Sequence, residues 1–323
     1  MKASIYSKYG PPDVLELKEV EKPSPNDDEV LIKVHAASVN PAELHLLRAD
    51  PFFARFYSGL LKPKNTILGA DISGTVESVG RNIKLFHIGD NVFGDLSDSG
   101  WGGFAQYVCA PENALALKPA HLSFEEAAAV PLAATTALQG LRNKGHIQQG
   151  QKVLINGASG GVGTFAVQIA KSFGADVTAV CSTRNLEIAR SIGADHGIDY
   201  TQEDFTKSGQ LYDLIFAANG YHSLSDYKRA LSPKGIYVVA GGSMTQLFQA
   251  VLLAPRMSET GGRKMAALSA KTSQKDLSFL KELLEAGKLV PVIDRRYPLT
   301  EAAEAMRYLG EGHAKGKVVV TVM

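Results

Sequence analysis

The segment from Lys152 to Phe173 constrains what this chain can fold into more than any other. Lys152 to Asn156 (KVLIN) reads as a buried strand, Thr164 to Phe173 as a helix, and between them lies a turn stripped of bulky side chains, Asn156-Gly157-Ala158-Ser159-Gly160-Gly161-Val162-Gly163. A strand feeding a helix through so tight a turn opens a βαβ crossover, and that implies a parallel sheet covered on both faces. The same turn leaves backbone N–H groups open at a helix N-terminus, where partial positive charge favours a phosphate. Ser159, Gly160, Gly161, Val162 and Gly163 are therefore candidate pyrophosphate-binding positions. Glycines that serve only close helix–strand packing are the alternative.

The alternation continues downstream. Val177 to Cys181, Leu214 to Ala218 and Ile236 to Ala240 read as strands, with helices over Asn185 to Ile192 and Ser223 to Leu231 and a last strand at Lys264 to Ser269. Upstream the texture differs: Val30 to Val34, Ile72 to Val79, Phe86 to Phe93 and Gly102 to Ala110 are short strand-and-turn runs that suggest a compact β-rich barrel or sandwich. Ser123, with Glu126 three residues on, is a capping box at the change of texture. A chain of 323 residues thus divides into a β-rich domain over 1–122, a parallel-sheet domain over 123–270, and a segment 271–323. The last segment closes on the strand Lys317 to Val322, whose β character fits a return to the first domain.

Which dinucleotide binds is decided about 20 residues beyond the turn, where an acid would grip the ribose 2′-hydroxyl of NAD. Here the second strand runs into Ser182-Thr183-Arg184. Two hydroxyls and a guanidinium suit a 2′-phosphate, so NADPH is expected over NADH. A solvated helix-start role for Arg184 is the alternative.

Charge and cysteine content exclude several classes. Lys and Arg number 34 against 33 Asp and Glu, so no basic excess is available for nucleic acid. Cys109 and Cys181 stand far apart and outside any Cys-x-x-Cys pair, which argues against a disulfide framework or a cysteine-rich zinc site. The start MKASIYSKYG lacks the apolar core of a signal peptide, and no run approaches the ~20 apolar residues of a membrane span. A cytoplasmic protein is expected. The stretch Asp50 to Leu61 supplies Phe52, Phe53, Phe56 and Tyr57, either as an apolar wall for a hydrophobic acceptor, with Tyr57 a candidate proton donor, or as core or lid of their own domain.

Further landmarks are Gly10-Pro11-Pro12, Ala37-Ser38-Val39-Asn40-Pro41, Gly69-Ala70-Asp71-Ile72-Ser73-Gly74, Gly89-Asp90 with Val92-Phe93-Gly94, Pro131-Leu132-Ala133 with Thr136-Ala137, and Gly193-Ala194-Asp195 with Asp199-Tyr200. With these the sequence resembles, over its whole length, the medium-chain dehydrogenase/reductase superfamily in its zinc-independent quinone oxidoreductase branch. Arg184-Asn185, Ala218-Asn219-Gly220, Val292-Ile293-Asp294 and Gly312-His313-Ala314 are most similar to the chloroplast-envelope quinone oxidoreductase and alkenal/one oxidoreductase subgroup. The resemblance implies an α/β fold, a Rossmann-type doubly wound parallel sheet plus a β-rich GroES-like catalytic domain. It implies that Asn40 faces the nicotinamide and substrate, that Thr136 approaches the nicotinamide side, that Tyr200 lies near the adenosine phosphate, and that Asn219, Gly241 and Gly242 border the nicotinamide ribose. A plain turn role before Pro41 is the alternative for Asn40. It also implies a homodimer paired through the edge strand Lys264 to Ser269.

In zinc-dependent members of the superfamily three ligands hold a catalytic ion; the matching positions here are Asn40, Ala70 and Leu132, a set that cannot bind zinc. The eight histidines form no close-spaced pair, so no metal is expected. Without a Lewis acid, hydride transfer to a conjugated acceptor is the chemistry that remains accessible: the expected partner is a small apolar conjugated carbonyl or a quinone. The alternatives are a zinc-type alcohol dehydrogenase, disfavoured by the missing ligands, and a non-catalytic NADPH-binding sensor.

Overall fold

The structure, a computed structural model, describes residues 1–52, 54–242 and 262–322; the side chains of Ala54 and Tyr57 also lie outside the description. Its strands in chain order are β1 (Lys2–Ile5), β2 (Glu16–Glu19), β3 (Glu29–Val39), β4 (Asp71–Val79), β5 (Asn91–Asp95), β6 (Tyr107–Pro111), β7 (Leu115–Leu117), β8 (Lys152–Asn156), β9 (Asp176–Cys181), β10 (His196–Asp199), β11 (Tyr212–Ala217), β12 (Leu231–Val239), β13 (Lys264–Ala267), β14 (Ile293–Pro298) and β15 (Lys317–Thr321). The chain forms two compact units. One comprises Met1–Thr135, Lys271–Ala286 and Pro291–Met323, the other Thr136–Ala270 and Gly287–Val290.

The first unit is built on a seven-stranded sheet, β14-β15-β3-β4-β5-β7, with β6 also paired to β3. All pairings are antiparallel except β14 with β15. One edge of β3 serves two partners: Glu29 to Lys33 pair with β6, and Ala36 to Val39 with β15. This explains why β3 outruns the Val30–Val34 strand legible in sequence. Ala36, Ala37 and Ser38 have little intrinsic strand preference, and pairing with β15 supplies it. Register shifts between β3 and β4 bend the sheet around one apolar core containing Val30, Ile32, Val76, Val92 and Leu115. A second core gathers Ala37, Leu68, Phe104, Met306, Val318 and Val320. The strand expected from Gly102 starts only at Tyr107, because Trp101 and Gly102 take positive φ values of 68° and 112°.

The second unit holds a wholly parallel six-stranded sheet in the order β10-β9-β8-β11-β12-β13. Strand order runs outward in both directions from β8 and β11, which makes their carboxyl ends the switch point where ligands collect in such sheets. β8 ends at Asn156, and the turn after it feeds the helix α1 (Gly161–Ser172), whose residues Gly163 to Ala170 are all buried. Leu154, Val180, Ile215, Tyr227, Tyr237 and Val239 fill one face of this sheet. Phe216 on β11 packs against Gly140, where a Cβ would stand 2.2 Å from the ring.

Gly163 is the position at which the helix comes down on the turn. A Cβ there would stand 2.0 Å from the carbonyl oxygen of Gly157, and this atom belongs to backbone that cannot swing aside. Gly163→Ala is therefore expected to destabilise the nucleotide-free protein by about 1–3 kcal/mol, the usual cost of overpacking. Urea unfolding without cofactor measures it; an unchanged midpoint would show that helix and turn are not packed this closely.

Candidate active site

Each unit carries one group of residues with chemical potential. In the first, Asn40 follows β3 and caps the helix Pro41–Arg48, with Pro41 at its first position. The carboxylate of Glu43 reaches back one turn and accepts from the Asn40 N–H at 2.9 Å and from the Ala70 N–H at 3.0 Å. Asp71, at the start of β4, accepts four hydrogen bonds: from Ser38 Oγ (2.6 Å), the Leu132 N–H (2.7 Å), Asn40 Nδ2 (3.0 Å) and Lys317 Nζ (3.1 Å). Lys317 begins β15, and its ammonium also donates to Asn40 Oδ1 at 2.5 Å. Glu43 and Asp71 are fully buried, Lys317 is 3% and Asn40 4% exposed, so solvent does little to screen this network.

A third carboxylate stands beside it. Asp95 of β5 is the register partner of Asp71 and accepts from the Ser97 N–H at 2.9 Å. Burial, and then the charge of Asp71, push the Asp95 carboxyl up to about 6 despite that hydrogen bond. Burial likewise pushes Glu43 up to about 7, with Asp71 adding to the rise while the Ala70 N–H and the Lys317 charge oppose it.

The second group lies at the carboxyl edge of the parallel sheet. Gly160 caps α1 without a side-chain cap, which leaves the first backbone N–H groups of the helix for a ligand. Asn185 Nδ2 donates to Ser159 Oγ at 3.0 Å and Ser182 Oγ at 3.2 Å, tying the turn after β8 to the end of β9. Gly157 packs on Asn219, where a Cβ would come within 2.9 Å of the Asn219 Cβ, and Gly220 bridges to Gly242 with its N–H on the Gly241 carbonyl at 3.0 Å. Ser159, Ser182, Asn219, Gly241 and Gly242 thus share one sheet edge with Gly160, Gly161, Val162 and Gly163. Arg184 is exposed in a single turn, Thr183–Asn185, and among the described residues its guanidinium makes no ion pair. Tyr200 follows β10 and is half exposed, its ring 5.8 Å from that of Tyr221.

Several features escaped sequence reading. The sequence at the end of β9 carries no acid, yet Asp199 on β10 accepts a hydrogen bond from Thr183 Oγ1. Its carboxylate also takes the N–H and hydroxyl of Thr201, and these donors, Thr183 first, lower its pKa. Glu43 was marked by the pattern Asn40-x-x-Glu43 with Pro41 between, a helix-start signature. Asp71 and Lys317 carried no local signal of pairing. Thr136, half-buried on the helix Pro131–Leu138, falls in the second unit, whereas Asn40 belongs to the first. Phe52 and Phe56 are exposed, 64% and 73%, so neither is core; Phe53 and the Tyr57 side chain are outside the described residues. A pocket of about 190 Å³ within the first unit is lined by Tyr6, Leu46, Leu68, Lys64, Asn65 and Trp101, among others, and by neither Phe52 nor Phe56.

The positions that would hold zinc in metal-dependent relatives do not fit the ion. Position 70 offers a methyl group and position 132 an isobutyl group, while the one oxygen at position 40 already receives an ammonium. Among the described residues no three His, Cys, Asp or Glu side chains are placed to share a metal.

The raised Glu43 fixes a sign for stability. Between about pH 4.5 and 7 the folded protein keeps a proton that the unfolded chain has lost, so this contribution is present below that window and disappears as pH rises through it. Stability relative to Glu43→Gln is expected to fall by roughly 2–3 kcal/mol from pH 5 to 8. Urea unfolding of both proteins across that range checks it, and a gap that does not vary with pH would contradict the assignment.

The family described as alcohol dehydrogenase GroES-like domain matches residues 26–120, and that described as zinc-binding dehydrogenase matches residues 192–320. The chain is 37% identical to a 2-methylene-furan-3-one reductase of Solanum lycopersicum and 34% identical to an NADPH-dependent alkenal/one oxidoreductase, chloroplastic, of Arabidopsis thaliana. Each alignment covers 99% of this chain and 79% of the relative. Among solved structures, the quinone oxidoreductase from Coxiella burnetii matches with a TM-score of 0.88 and 33% identity, covering 100% of this chain and 99% of that one. The glycine turn, the doubly wound sheet, the GroES-like sheet and these relatives agree: the chain belongs to the quinone oxidoreductase branch of the medium-chain dehydrogenase/reductase superfamily.

Proposed function

We propose that this protein is an NADPH-dependent reductase of α,β-unsaturated carbonyls and quinones that works without zinc. Relatives named as alkenal/one and quinone oxidoreductases support the reaction class, and one named as NADPH-dependent supports the cofactor. The observation that carries the metal-free reading is the donor set at positions 40, 70 and 132, in which an ammonium meets the only side-chain oxygen. Zinc would have to displace a buried ion pair to reach it.

The glycine turn and the N-terminus of α1 would hold the pyrophosphate, and Ser182 and Arg184 the 2′-phosphate, since the Thr183 hydroxyl is already given to Asp199. Tyr200, Asn219, Gly241 and Gly242 border the same sheet edge. When bound, the nicotinamide supplies a hydride to the β-carbon of the acceptor, whose carbonyl oxygen takes up the electron pair. Asn40 and Thr136 stand in this reading as the residues nearest the reacting groups. Both hydrogens of the Asn40 amide point at carboxylates, so the donor for the developing oxyanion is a different group. The reading also includes a cytoplasmic location and a homodimer formed through β13, the edge of the six-stranded sheet among the described residues.

Purified protein is expected to oxidise NADPH with short-chain enones and with quinones, to be insensitive to chelators, and to carry substoichiometric zinc. Tight NADPH binding with no turnover on any acceptor of either class would instead favour a nucleotide-binding sensor. For cofactor choice, Arg184→Ala is expected to raise the KM for NADPH about tenfold, the low end for a charge-assisted contact because the site is exposed, and to leave NADH unaffected. Equal effects on both coenzymes would remove Arg184 from the 2′-phosphate site. Light scattering tests the dimer against a chain mass of 34.5 kDa.

A further inference from the structure

We propose that Lys317 is a positioning residue: its ammonium fixes the orientation of the Asn40 amide. The contacts leave one arrangement for that amide. Oδ1 accepts from Lys317 Nζ at 2.5 Å, while Nδ2 donates to Asp71 Oδ2 at 3.0 Å and, more weakly, to Glu43 Oε1 at 3.4 Å. Turning the group over would set NH2 against the ammonium and a carbonyl oxygen against the Asp71 carboxylate, so both close contacts would change from attraction to repulsion. Glu43 and Asp71 could orient the amide nitrogen without help. Among the described residues Lys317 supplies the one side-chain donor on the oxygen side, beside the Glu43 N–H of the helix start.

Packing alone does not call for a charge at this place. Lys317 is 3% exposed and is followed by Val318, Val319 and Val320, all fully buried. A methionine there would spare the cost of burying an ion, and well-packed apolar replacements of buried ion pairs are commonly neutral or stabilising. The ammonium is held in turn by Asp71, which is anchored from two further elements by Ser38 Oγ and the Leu132 N–H. This chain of contacts joins β15, β4 and the end of β3, and it ends on the Asn40 oxygen. The kinetic part of the inference rests on the reductase reading; the geometric part does not.

The test compares Lys317→Met/Asp71→Asn, which removes both charges together, with Asp71→Asn, which alters only the Nδ2 side of the Asn40 amide, and follows that amide by 15N-resolved NMR alongside NADPH-dependent turnover. Relative to Asp71→Asn, the double variant is expected to fold, to shift the Asn40 amide signals and speed their exchange with water, and to lose tenfold or more in kcat with the KM for NADPH within twofold. Unchanged Asn40 signals would overturn the proposal, as would a kcat equal to wild type in a protein with turnover. A wild-type protein that reduces no acceptor would instead sink the reductase reading, and the amide signals would still decide the role of Lys317. Lys317→Arg, which keeps the buried charge, provides a second arm by crystallography. A guanidinium N–H on Asn40 Oδ1 is expected; a guanidinium turned elsewhere while the amide keeps its wild-type orientation would overturn the proposal.

Discussion

Burying a charge costs several kcal/mol unless a partner and hydrogen bonds compensate it, and the first unit buries Glu43 and Asp95 beside Asp71, whose partner is the ammonium of Lys317. Lys317 and Asp71 lie 246 residues apart in sequence. Their contact ties β15 to β4 across β3, and β15 sits between β14 and β3 rather than extending the sheet at its rim. The carboxylates that exceed the one positive charge are those whose proton affinity rises, Glu43 and Asp95. Removing a single member would leave a buried group without its complement, so the network holds as a unit.

In the second unit the governing constraint is steric. Close approach of helix to turn at Gly163, and of the turn to Asn219 at Gly157, draws the ends of β8 and β11 together. The N–H groups that open at the helix start are a by-product of that packing. Glycines that serve packing and glycines that admit a phosphate are thus the same residues here, and the two readings of the turn do not compete.

Legibility in the sequence followed the range of the interaction. The run from Lys152 to Phe173 declared strand, turn and helix because everything that shapes it lies within a few residues; only the first turn of the helix, from Gly161, was hidden by its glycines. Ser123 and Glu126 announced their cap for the same reason, with the Glu126 carboxylate on the Ser123 N–H at 2.8 Å. Lys317 and Asp71 could not be read this way. A single Lys at the start of a valine run looks like the solvated end of a strand, and a single Asp between Ala70 and Ile72 looks like a turn residue. Asp199 was missed because the test for an acid followed the chain along β9, whereas the carboxylate arrives from the neighbouring strand. Similarity to known relatives brought Asn40 into view but said nothing of the lysine that holds it.

The interior place of β15 has a consequence for synthesis. A ribosome delivers the chain from its N-terminus, so β3 emerges with the half of its edge at Ala36 to Val39 unfilled, and residues 40–316 follow before the strand that covers it appears. The whole parallel-sheet unit emerges within that interval and can fold as the nascent chain lengthens. The sheet of the first unit, although begun earlier, cannot be completed until β15 emerges, and its open strand edge is what a chaperone would have to shield in the meantime.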